Sequence, residues 1–213
     1  MTRLAADWNR VIAPQDWAAM TRMHESTHVT ASEALGIPVS EVWANTDPNI
    51  AHGGHYRNGP GDSQMQSVVY LIGAEGGARE LRDRGYDDAL AHTTVLACGH
   101  NDREIVRNLV VPQAAAGGWR VDPDLAYDSA LQLLYNAGFQ DAAHNVAQAM
   151  ADQGDRLTGA DVRAAIGSYQ LSDALWLPTS PELTRAERER DHNPGAGPIG
   201  PAPARDDDLD IDL

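Results

Sequence analysis

Gln15–Leu35 reads QDWAAMTRMHESTHVTASEAL, and the rest of the chain is best read outward from it. Trp17, Met20, His24, His28, Ala31 and Leu35 recur at three- and four-residue steps, the signature of an amphipathic helix. Pro14 precedes the segment and Gly36 follows it, with Pro38 just beyond, which is how a helix starts and stops. His24-Glu25-Ser26-Thr27-His28 inside it is an HExxH motif. Residues four apart lie on one helix face, so two imidazoles can reach one Zn²⁺ at about 2.0–2.1 Å. Glu25, beside that face, is the candidate general base toward zinc-activated water. Two inward imidazoles one turn apart also need a shared partner, because burying polar groups unpaired is costly.

Downstream, Val39–Ala44 and Ile50–Arg57 read as short extended runs, separated by Asp47-Pro48-Asn49 and closed by Asn58-Gly59-Pro60-Gly61. They predict a small β element. Asp62 or Ser63 caps a second, largely apolar helix reaching Arg84. Further helices are expected at Asp88–Ala97, from the Gly99–Asp102 break to Pro112, at Pro123–Asn136, at Gln140–Gln153 and at Gly159–Ser168. Gln113–Val121 reads as a small-residue loop. The fold expected is mainly α with a small β element.

Composition bounds the chemistry. The 213 residues carry a net charge of −15, and all 16 basic residues are arginine. Without lysine there is no P-loop, no Schiff base and no Ser–Lys chemistry. An acidic chain without a basic block is also a poor partner for nucleic acid, whose binding is driven by phosphate neutralisation. The single Cys98 agrees with a reducing, cytoplasmic setting. MTRLAADWNR shows no apolar stretch of a signal peptide, and no apolar run reaches the roughly 18 residues of a membrane helix. From residue 178 onward the chain turns Pro-, Gly- and acid-rich, ending DDDLDIDL, and a disordered acidic tail is expected. Between Asp191 and Leu213 six acids face one Arg205, so the rest of the chain is less acidic than the total implies.

A catalytic zinc takes a third protein ligand and keeps one position open. His52, His55, His92, Cys98, His100 and Asp102 are all candidates by residue type, and spacing does not choose among them.

Several segments together resemble the zinc-peptidase domain of the FtsH family, the membrane-anchored AAA proteases. HESTHVTASEALGIPVSEV at 24–42 is similar to that family's HExGH helix with the strand after it. HGGHYR at 52–57, LIGAEGGAREL at 71–81, GHNDREIVRNLV at 99–110 and RLTGADVRAAI at 156–166 follow in the family's order. The resemblance implies a zincin-like helical peptidase domain over 15–177, between an N-terminal extension (1–14) and the tail (178–213). It implies His24, His28 and Asp102 as Zn²⁺ ligands and Glu25 as catalytic base, with a substrate strand pairing along His52–Arg57. His52 and His55 become substrate or supporting contacts, and Glu75 or Glu80 the carboxylate supporting the ligands. The chain departs from the family by lacking an ATPase part and by placing Thr27 where glycine is usual, which alters packing on the active helix. The segment before Asp102 is also longer.

The reading is an ATP-independent zinc metallopeptidase acting on short or unfolded peptide substrates, with no nucleic-acid or membrane partner. A ring-shaped homo-oligomer is implied by the family, while a dimer or monomer fits the sequence as well. The alternative is a catalytically weak or inactive peptidase-fold adaptor. A zinc hydrolase of a non-peptide amide is a third class, because HExxH sets the water and not the substrate.

Overall fold

The computed structural model describes residues 11–47, 54–59 and 61–169. The expected acidic tail, His52 and the first part of the second extended run lie outside them. Helix α1 (Pro14–Ala34) forms the centre of the fold. Pro14 sits in its first turn, where its missing N–H costs nothing. Beyond Leu35, Gly36 turns left-handed, and Ile37 donates back to the Ser32 carbonyl.

α1 is not the half-exposed amphipathic helix that its spacing predicts. Every residue from Met23 to Ser32 is buried. α2 (Ser63–Asp83) packs on one side and α7 (Ala137–Asp152) on another, and β1 (Val39–Ala44) and β2 (Gly54–Asn58) cover more of it. The polar side chains survive burial by bonding within the fold: Ser26 and Thr27 donate to the carbonyls four residues back, and Ser32 to Ile37.

The sheet has the order β2–β1–β3, with both pairings antiparallel. β3 (Arg156–Thr158) is absent from the sequence reading, since three residues carry no readable alternation. β1 is the central strand, and β2 lies at one edge.

Asp62 caps α2 by accepting from the N–H groups of Gln64 and Met65. α3 (Asp88–Cys98) fills the long segment before Asp102. Then α4 (His100–Ile105), a π-helical turn (Val106–Val110) and α5 (Val111–Ala116) run on without a break. The expected stop at Pro112, and the loop from Gln113, are therefore corrected. Pro112 stands in the first turn of α5, and the wider π turn before it absorbs the missing hydrogen bond. α6 (Pro123–Leu134) follows. α7 begins three residues earlier than its apolar pattern implies, because Asn136 caps it. α8 (Gly159–Ile166) opens with a Thr158–Asp161 capping box.

Three apolar clusters hold these elements. One joins α1, α2, α6 and α7 around Ile72, Leu133 and Phe139. A second seats the sheet on α7 and α8 through Val42, Met150 and Leu157. A third places α3 against α1 and α2 through Met20, Leu81 and Val95. No helix among the described residues is long and apolar enough to cross a membrane.

Candidate metal centre

α1 delivers His24 and His28 one turn apart, and the first turn of α4 brings Asp102 to both. His24 Nε2 and His28 Nε2 are 3.0 Å apart. Asp102 Oδ2 lies 3.4 Å from the first and 3.5 Å from the second. These three residues form the one group among the described residues placed to hold a metal ion. A tetrahedral Zn²⁺ with bonds of about 2.0–2.1 Å separates its ligand atoms by about 3.3 Å, so the triangle fits.

The ring orientations fit as well. His28 Nδ1 is 2.6 Å from the Val69 carbonyl, which can only accept, so Nδ1 carries the proton and Nε2 is turned to the cluster. His24 Nδ1 is buried without a hydrogen-bond partner. Burial opposes a charge on His28, but the Asp102 carboxylate outweighs it and lifts the imidazole to about 9. Asp102 shows the reciprocal effect: burial opposes its ionisation, yet the two imidazoles hold its carboxyl well below the usual range.

Glu25 is buried beside this group, its Oε1 3.9 Å from His24 Nε2. Desolvation raises its carboxyl above the usual value, against the pull of His24 and His28. Gly54, at the start of β2, leaves the space this carboxylate occupies.

The other candidate ligands stay apart. His92 and His100 are exposed. Cys98 is partly buried against the α3 cluster, and burial pushes its thiol up to about 12, as expected of a packing residue. His52 lies outside the described residues, and β2 carries His55 at its second position. Glu75 and Glu80 are both buried but bond elsewhere. Glu75 accepts from the Tyr127 hydroxyl at 2.5 Å, and Glu80 from Arg84 at 2.7 Å with His144 at 3.6 Å. The supporting partner of His28 is a backbone carbonyl instead.

Two features escaped the sequence reading. Tyr56 stacks on the His28 ring with centroids 4.8 Å apart. Gly73 and Gly76 of α2 face His28 and Thr27 so closely that neither position has room for a Cβ. Their spacing, with Gly77, was a visible sign of a close helix approach. It also explains how the chain accommodates Thr27.

Comparison with family models, with curated proteins and with solved structures returns no match.

Proposed function

We propose that the chain is an ATP-independent zinc metallopeptidase, similar to the FtsH peptidase domain, that hydrolyses peptide bonds in short or unfolded segments. The observation that carries this reading is the convergence of His24, His28 and Asp102 with the Glu25 carboxylate beside them. His24, His28 and Asp102 would hold Zn²⁺, which would supply Lewis acidity toward a water and the scissile carbonyl. Glu25 accepts the proton of the attacking water at its carboxylate and passes it to the leaving amine. Its burial favours this, since desolvation raises the carboxyl and makes the carboxylate a stronger base than one in water. The edge of β2 offers backbone groups for an extended substrate strand. With no lysine there is no P-loop in these residues, and the substrates proposed are accordingly segments already short or unfolded.

A second reading has an observation of its own. The two Nε2 atoms lie within hydrogen-bond distance, and Asp102 can pair with a protonated His28, so the Nε2 atoms and the carboxylate can satisfy one another without metal. That favours a peptidase-fold adaptor without turnover. Glu25→Gln separates the two. On the peptidase reading it keeps zinc and abolishes cleavage of an unstructured peptide that the wild type cleaves. Full activity in that variant would remove Glu25 from its role. Zinc bound by the wild type without any turnover would leave the adaptor.

A further inference from the structure

β2 faces two ways. Side chains alternate along a strand, so Gly54 and Tyr56 share one face. That face is turned to the HExxH helix. The Tyr56 ring lies nearly flat on the His28 imidazole, with planes inclined by 26°. Two residues earlier, a Cβ on Gly54 would come within 2.5 Å of Glu25 Cγ and Oε1. On its other flank His28 is held by the Val69 carbonyl and by the close passage of Gly73. His24 has no such support: it meets His28 edge-on at 79°, and its Nδ1 is unpartnered. His28 is thus the anchored member of the pair, and a planar ring at position 56 completes its seat.

Resting on the metal-centre reading above, we propose that β2 positions the HExxH pair: Tyr56 fixes the ring of His28 by stacking, and Gly54 reserves the space of the Glu25 carboxylate. Both are positioning residues and act through the residue they touch. An aliphatic side chain can fill the volume of Tyr56, but only an aromatic ring lies flat on an imidazole. The three atoms nearest to a Cβ at position 54 all belong to the Glu25 side chain, so methyl-sized growth there displaces the carboxylate first.

The test compares full-length wild type, Tyr56→Phe, Tyr56→Leu and Gly54→Ala. Zn²⁺ affinity is read by chelator competition, and the metal-free fold is checked by circular dichroism. Tyr56→Phe is expected to keep wild-type affinity, and folded Tyr56→Leu to lose about tenfold or more. Equal affinity in wild type and Tyr56→Leu overturns the role of Tyr56. Should the leucine variant not fold, the wild type decides by NMR. His28 ring protons shifted upfield by the stacked phenol support the proposal, and unshifted ones overturn it. Gly54→Ala is expected to keep zinc affinity and KM while kcat falls about tenfold or more. An unchanged kcat overturns the role of Gly54. A wild type that binds no zinc overturns the metal-centre reading and this inference with it. Zinc binding that ignores position 56 overturns this inference alone.

Discussion

Gly73 of α2 passes so close to His28 that a Cβ at position 73 would overlap the imidazole at Nε2, the atom turned toward Asp102. The ring cannot retreat, because Val69 holds its Nδ1 and Tyr56 covers its face. Gly73→Ala is therefore expected to displace a ligand as well as strain the core. Zinc affinity should fall about 10–100-fold, the usual effect of disturbing a ligand's support. Stability should drop by about 1–3 kcal/mol, as for an overpacked core. Chelator competition and urea unfolding measure the two effects. Wild-type affinity in Gly73→Ala would contradict the close seating of His28.

Thr27 and Gly76 form a matched pair across the same helix interface. A Cβ at position 76 would strike the Thr27 hydroxyl, which donates to the Met23 carbonyl at 2.6 Å. Gly76→Ala alone should cost about 1–3 kcal/mol. Thr27→Gly alone should cost about 0.3–0.5 kcal/mol through helix propensity, with the lost packing of its fully buried side chain added to that. Combined, Thr27→Gly and Gly76→Ala should recover part of the loss, with a coupling of about 0.5–3 kcal/mol in a double-mutant cycle. Strict additivity would show that the two positions do not meet.

Away from the metal centre, Glu80 of α2 and His144 of α7 set a pH window. His144 leads in lowering the Glu80 carboxyl below its model-compound value of 4.5, against burial and with help from Arg84. Glu80 raises His144 above 6.5. The Glu80 contribution is present above about 4.5 and is lost as pH falls through its lowered value. The His144 contribution is present below about 6.5 and is lost as pH rises through its raised value. This pair should therefore stabilise the metal-free chain most between these limits, beside the larger pH dependence that the buried His28 and Asp102 give it. The His144 side chain is half exposed, so solvent screening keeps the effect to some tenths of a kcal/mol. His144→Ala should remove only this pair's share of the alkaline limb, read as a small difference from the wild type in thermal unfolding across pH. An unaltered limb would place its cause elsewhere.

The elements that the sequence shows well are those with long periodic patterns and strong punctuation. α1, β1 and α2 fall close to where Pro14, Gly36 and Asp62 mark them. β3 is invisible because three residues hold no pattern, and its partner in β1 is more than a hundred residues away. Pro112 misleads, since a local rule about proline cannot foresee a π turn that accommodates it. The spacing of His24 and His28 announces a shared partner, but Asp102 comes from a helix that only tertiary packing can bring there. Cys98, His92 and His100 were equal to it by residue type and are set apart by exposure and packing alone. The Val69 carbonyl could not be seen at all, because backbone atoms leave no mark in the sequence. The glycines at 73, 76 and 77 did leave one, and their meaning is the narrow gap between α1 and α2.

The central claim is that His24, His28 and Asp102 hold one zinc ion. Zinc K-edge X-ray absorption on the zinc-loaded protein tests it most directly. The account expects an all-nitrogen and oxygen shell with two imidazoles, at about 2.0–2.1 Å. It also expects one imidazole to be lost in His28→Ala. A sulfur shell at about 2.3 Å, placing Cys98 in the site, or a wild-type spectrum without bound imidazole would contradict it.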